Sequence, residues 1–166
     1  MLSACHRRIQ DQCSILCGLV PYLVAHGADA QARAAAAGAV RYFATAVTHH
    51  HADEDEDLFP ALLESMAGSD ATCLRQMTAA LGAEHRELED LWRRLRPALE
   101  RVAAGERATL SASDVETMAS LYERHIAREE SELLPMAARL LGDDELDRIG
   151  RAMRERRGIC TEAPAR

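Results

Sequence analysis

Aromatic residues are scarce in this chain: Phe, Trp and Tyr make up 4% of its 166 residues. The clusters of aromatic and β-branched residues from which strands are built are missing. Ala, Leu, Glu and Arg dominate instead, which excludes a sheet protein and favours an all-helical one. No run of about 18 apolar residues occurs, so no segment reads as a membrane span. Positive charge is short as well. The 27 acidic residues outnumber the 20 basic ones for a net charge of -7, a field that repels nucleic-acid phosphates. Arg93, Arg94 and Arg96 read as a solvated helix face. The five cysteines, Cys5, Cys13, Cys17, Cys73 and Cys160, are odd in number and lack the spacing of a secreted disulfide framework. The polar start, MLSACHRRIQDQC, lacks the apolar stretch of a signal peptide. These absences predict a reduced, cytoplasmic, single-domain protein with no nucleic-acid and no membrane partner; no protein partner can be read from them.

What is present is helical periodicity with clear punctuation. A first helix starts near Ser3 and ends at His26-Gly27, where Gly27 suits a left-handed cap; Pro21 should kink it. Asp29 can cap a second, Ala-rich helix from Ala30 to about Met66, bent late by Pro60. Gly68, Ser69 and Asp70 break the chain. A third helix spans about Ala71 to Ala103, and Gly105 to Thr109 form a loop. Ser113 with Glu116, or alternatively Ser111 with Asp114, opens a fourth helix that ends near Leu141-Gly142. A short fifth helix can follow from Asp143 to Arg157. The expected fold is all-α: an antiparallel up-down-up-down four-helix bundle with a short C-terminal fifth helix, residues 1–157 forming the domain and 158–166 a frayed tail.

An internal repeat carries the functional information. Set VTHHHADEDEDLFPAL (47–62) above YERHIAREESELLPMA (122–137). His50 falls over His125, Glu54 over Glu129, Leu58 over Leu133 and Pro60 over Pro135. Setting HRRIQD (6–11) above HRELED (85–90) places His6 over His85. The chain reads as two similar helical hairpins, each with a lone His on its first helix and His-x-x-x-Glu on its second.

Positions i and i+4 share one helix face, so each His-x-x-x-Glu aims an imidazole and a carboxylate at one point. Two hairpins packed face to face gather four imidazoles and two carboxylates, enough for two metal ions with the Glu residues between them. Mixed nitrogen and oxygen ligation suits iron, and less well manganese or zinc. A single His-x-x-x-Glu is common on solvated helices; two copies with the same Leu-x-Pro ending are far more specific. His49 with Asp53, His51 with Asp55 and His85 with Glu89 share the spacing, but the repeat selects His50 and Glu54. His26, His49 and His51 are expected to face solvent, and Glu89 can orient His85 as a hydrogen-bond acceptor.

At these residues the sequence resembles the hemerythrin-like family with the HHE cation-binding domain, over roughly Ser3 to Leu141. The ordered pattern is His6, His50/Glu54, His85 and His125/Glu129, with the DEDLFP and ESELLP endings. The resemblance implies two non-haem iron ions with a bridging oxo or hydroxo group. It puts His6 and His50 on one iron, His85 and His125 on the other, and Glu54 and Glu129 between them. Oxygen-carrying members have a His four residues after the third ligand; position 89 here is Glu, so the pattern looks more like the six-ligand bacterial branch.

Around this centre, Cys13 and Cys17 are expected on the helical face of His6, as core residues or as a redox-sensing thiol pair. Tyr122 is placed to pack in the core or to hydrogen-bond near the centre, and Phe43 and Trp92 to pack the core. Asp53, Asp55, Glu56 and Asp57 read as a solvated acidic face that Asp57 can leave toward the interior. The functional expectation is binding or sensing of oxygen, nitric oxide, peroxide or iron itself. The alternative is an enzyme that reduces nitric oxide or peroxide, or that donates iron for repair of iron centres.

Overall fold

The computed structural model of the chain describes residues 2–65 and 70–159. The expected break at Gly68 and Ser69, the end of the second helix at Met66, Cys160 and the tail from 160 onward lie outside the described residues. Among the described residues the structure is all-α. The first helix, α1, spans Leu2–His26 and runs through Pro21 without ending there; Gly27 closes it at φ 67°. The second, α2, covers residues 30–65, capped by Asp29, whose carboxylate accepts from the Ala32 N–H at 2.9 Å. The third, α3, is Asp70–Ala103. The fourth, α4, covers residues 112–140. Of its two candidate caps Ser111 is the one used, accepting from the Asp114 N–H at 3.2 Å. The fifth, α5, is Asp143–Arg156, opened by Glu145, which accepts from the Gly142 N–H at 2.9 Å.

The first four helices close into a ring in which α1 packs on α2 and α4, and α3 on the same two. Two apolar clusters fill it. One holds Leu16, Ala36, Phe43, Leu95, Leu99 and Met118; the other holds Leu58, Leu62, Leu74, Leu81 and Leu133, with Ile149 and Met153 of α5. Along α2 and α4 the first cluster precedes the His-x-x-x-Glu motif and the second follows it. Along α3 the order is reversed about His85. This alternation is the antiparallel bundle, and it leaves the buried polar residues as a layer between two apolar plugs.

Both α2 and α4 pass through a π-helical turn at the motif, Asp53–Leu58 and Glu129–Leu133. The repeat explains it. A proline six residues after each Glu has no N–H, and its ring crowds the carbonyl four residues back. The residue before it reaches five back instead: the Phe59 N–H bonds the Glu54 carbonyl, and the Leu134 N–H bonds the Glu129 carbonyl. Sequence reading expected Pro60 to bend the helix; the chain widens by one π-turn at that point, a feature often found at functional sites. A further π-turn, Phe43–Val47, has no proline. There the hydroxyls of Thr45 and Thr48 bond backbone carbonyls one turn back, a habit that distorts helices.

Leu99 is fully enclosed in the larger cluster. Leu99→Ala is expected to cost about 2–5 kcal/mol, read as a lower midpoint in urea unfolding with an unchanged slope.

Candidate metal centre

All six residues singled out by the repeat meet in the polar layer. His6, His50, Glu54, His85, His125 and Glu129 are each at most 4% exposed. They form two overlapping groups, His6, His50, Glu54 and Glu129 on one side and Glu54, His85, His125 and Glu129 on the other. Within each group the candidate ligand atoms lie inside 4.8 Å of one another. Donors held at about 2.1 Å from a common ion stand about 3–4.2 Å apart by simple geometry, so the spacing suits a metal. The imidazole Nε2 atoms face carboxylate oxygens: His6 to Glu129 at 3.1 Å, His125 to Glu129 at 3.1 Å, His85 to Glu54 at 3.3 Å and His50 to Glu54 at 3.6 Å.

Both oxygens of Glu54 and of Glu129, both ring nitrogens of His50, and His6 Nε2 are buried without a hydrogen-bond partner. Leaving that many polar atoms unsatisfied in a core costs several kcal/mol, as an order of magnitude. A pair of cations among them removes the cost, and the donor set is one that iron accepts. The residues present fit a two-metal centre.

Three of the four imidazoles are held from behind by carboxylates. Nδ1 of His6 meets Glu130 at 2.6 Å, Nδ1 of His85 meets Asp55 at 3.0 Å, and Nδ1 of His125 meets Glu84 at 2.8 Å. Arg128 steadies Glu84 in turn at 2.8 Å. Sequence reading missed these partners and offered Glu89 for His85. Glu89 is exposed and pairs with Arg93, while His85 Nδ1 points across to Asp55 on α2. A signal was available: Asp55 and Glu130 occupy the same place in the repeat, directly after each Glu.

The acidic run also differs from expectation. Asp53 is 1% exposed and is gripped by two arginines of the C-terminal end. Arg157 donates to Asp53 Oδ1 at 3.1 Å and Oδ2 at 2.6 Å, and Arg156 bonds Asp53, Glu56 and Asp57. His51, expected in solvent, is half-buried and lies flat on His85, with ring centroids 4.1 Å apart and planes 13° off parallel. Its Nε2 is enclosed without a partner. His26 is exposed and His49 half-buried, and neither belongs to the groups above. Cys13 is buried, and burial pushes its thiol up to about 12, which suits packing and not a reactive thiol. Cys17 is exposed and so does not share the inward face of His6. Tyr122 is buried against Phe43 and near His51, and burial raises its hydroxyl well above the ordinary range. Phe43 stacks on Trp92 at 5.2 Å, as expected of core residues.

A family model described as the hemerythrin HHE cation binding domain matches residues 1–137 of this chain. The chain belongs to the hemerythrin HHE cation-binding domain family. A curated protein of Haemophilus influenzae, described as an uncharacterized protein, is 31% identical over 159 residues, which cover 96% of this chain and 89% of that protein. HHE domains bind metal cations, and the His/Glu groups of this one could hold a metal. The matched span stops short of α5 and its arginines.

Without metal, the HHE domain must compensate its buried charges with protons. Burial opposes a charge on His6, but the carboxylates of Glu129, Glu54 and Glu130 overcome it and raise the imidazole to about 10. For His85, burial is again opposed, by Asp55 and Glu54, with a result of about 9. Glu129, despite burial, is lowered by His125 and His6. Burial dominates at His50 and lowers it. A raised imidazole stabilises the fold fully below its unfolded value near 6.5 and ceases to do so as pH rises through the folded value. Chelator-treated protein is therefore expected to lose stability between pH 6.5 and about 10, and His6→Gln to flatten that slope. Metal-loaded protein is expected to melt higher than the chelated form and to lack this loss. Thermal melts across pH, with metal content measured, check both.

Proposed function

We propose that this chain is a non-haem di-iron protein that binds or senses a small molecule. His6 and His50 would hold one iron, His85 and His125 the other, and Glu54 and Glu129 would be shared, with the oxo or hydroxo bridge that the resemblance implies. The observation that carries this is the set of buried, unsatisfied nitrogen and oxygen atoms in two overlapping groups. Such a centre supplies electron exchange with oxygen, nitric oxide or peroxide, or a store of iron itself.

The protein's own residues do the positioning. Asp55, Glu84 and Glu130 fix three imidazole orientations and keep Nε2 as the inward atom. The apolar clusters on either side exclude bulk water. A cleft of about 440 Å³, lined by Phe43, Val47, His51, His85, Trp92 and Tyr122 among others, leads to the ring of His85 and gives a small molecule a route. The carboxylates beside the imidazoles are already committed to holding them, which favours binding over catalysis.

One observation favours the enzyme reading. Reduction of nitric oxide or peroxide consumes protons, and His51 presents an enclosed, unpartnered Nε2 at the wall of that cleft. His51→Phe would then slow turnover and leave binding intact.

Metal analysis and optical spectra decide. Purified protein is expected to carry close to two iron ions per chain. Its anaerobic spectrum should change on addition of oxygen, nitric oxide or peroxide. His50→Ala or His125→Ala should lose at least one of the two ions while His49→Ala keeps both. One ion per chain, zinc after growth in iron-rich medium, or metal loss in His49→Ala alone would overturn the reading.

A further inference from the structure

The four imidazoles of the centre are not equally supported. On the His85/His125 side both Nδ1 atoms meet carboxylates, Asp55 at 3.0 Å and Glu84 at 2.8 Å. On the other side only His6 does, through Glu130 at 2.6 Å. His50 Nδ1 is buried with no hydrogen-bond partner among the described residues.

The repeat gives the cause. Glu84 stands directly before His85, and it crosses to the His of the His-x-x-x-Glu motif in its own hairpin. The matching place before His6 is held by Cys5, so the carboxylate that would cross to His50 is absent from the sequence. The support behind Glu84 has no counterpart either. Arg128, directly before Glu129, bonds Glu84 at 2.8 Å; directly before Glu54 stands Asp53, which turns to Arg156 and Arg157 instead. Carboxylates behind metal-bound imidazoles raise their basicity and hold the ring in place, and losing one typically costs about 10–100-fold in metal affinity.

The geometry points to two metal positions of unequal strength. The position at His85 and His125 fills first and retains its ion; the position at His6 and His50 fills last and exchanges. This rests on the di-iron reading and adds an order to it. It also makes one ion the exchangeable one, with its weak point at the unsupported ring of His50. The asymmetry is a property of residues next to the ligands, since the ligands themselves match across the repeat.

The test uses the full chain, loaded anaerobically with ferrous iron and then mixed with an excess of a colorimetric ferrous chelator. Release is expected in two phases of equal amplitude whose rates differ about tenfold or more. Cys5→Glu, which restores the missing carboxylate, should slow the fast phase and bring the rates together. Glu84→Gln should speed the slow phase and also bring them together, and His50→Ala should leave one slowly released ion. A general loss of stability would instead speed both phases, and melts of each variant separate that case. Two ions released in one phase from the wild type would overturn the inference, as would a fast phase that Cys5→Glu leaves unchanged in a folded variant. If Cys5→Glu does not fold, an unchanged slow phase in Glu84→Gln overturns it equally. A wild type that takes up no iron at all overturns the di-iron reading itself, a result distinct from two ions in a single phase.

Discussion

The fold depends on one constraint: two carboxylates and four imidazoles lie within a few ångströms of one another in a layer almost closed to water. No arrangement of apolar neighbours can satisfy such a layer. Charge must balance inside it, either through protons shared between imidazoles and carboxylates or through cations. The raised values at His6 and His85 and the lowered one at Glu129 express the first solution. The unsatisfied atoms of Glu54 and His50 show that it is incomplete. A metal pair would be the more complete solution, and would tie ion binding to the folded state.

The two hairpins are interlocked at this layer. His6, in the first hairpin, is held by Glu130 of the second; His85, in the second, is held by Asp55 of the first. Each carboxylate directly follows the Glu of its own motif and sits on a π-turn forced by the proline six residues beyond that Glu. One local device, a proline placed at a fixed distance, thus shapes the backbone on which a Glu and its following carboxylate hold one imidazole of the other hairpin by its two nitrogens, His85 between Glu54 and Asp55 and His6 between Glu129 and Glu130. Each hairpin completes the other, and a single hairpin would leave its lone His without support.

Much of this was legible because helices translate spacing into direction. The caps at Asp29 and Ser111 and the pairing of each motif His with the Glu four residues on follow from i, i+3 or i, i+4 relations within one helix, and the internal repeat selects His50/Glu54 and His125/Glu129 and adds His6 and His85. What escaped was set between helices. Asp55 serves a His thirty residues away, and Asp53 is buried because arginines about a hundred residues later reach it. No spacing rule reports such distances. His51 was misjudged for the same reason: it stands beside His50 on its own helix, but its environment is the ring of His85 on another. The acidic run looked solvated since nothing nearby in sequence neutralises it.

Arg156 and Arg157, at the C-terminal end of α5, answer a problem that the first hairpin alone has. Before Glu129 the repeat places Arg128, a cation that pairs with Glu84 and lowers the negative field around the centre. Before Glu54 it places Asp53, which adds to that field, with Glu56 and Asp57 close behind. Three carboxylates on a turn that also carries Glu54 would repel one another and favour opening of the turn. Arg156 and Arg157 supply two positive charges there, the latter through both oxygens of Asp53, and Ile149 and Met153 anchor their helix in the adjoining apolar cluster. The second half of the repeat carries its cation within the motif, whereas the first half takes its cations from a helix beyond the matched family span. The two halves therefore carry the same inward groups and differ at the positions directly before them, 5 against 84 and 53 against 128, where a substitution alters the surroundings of an inward group without removing it.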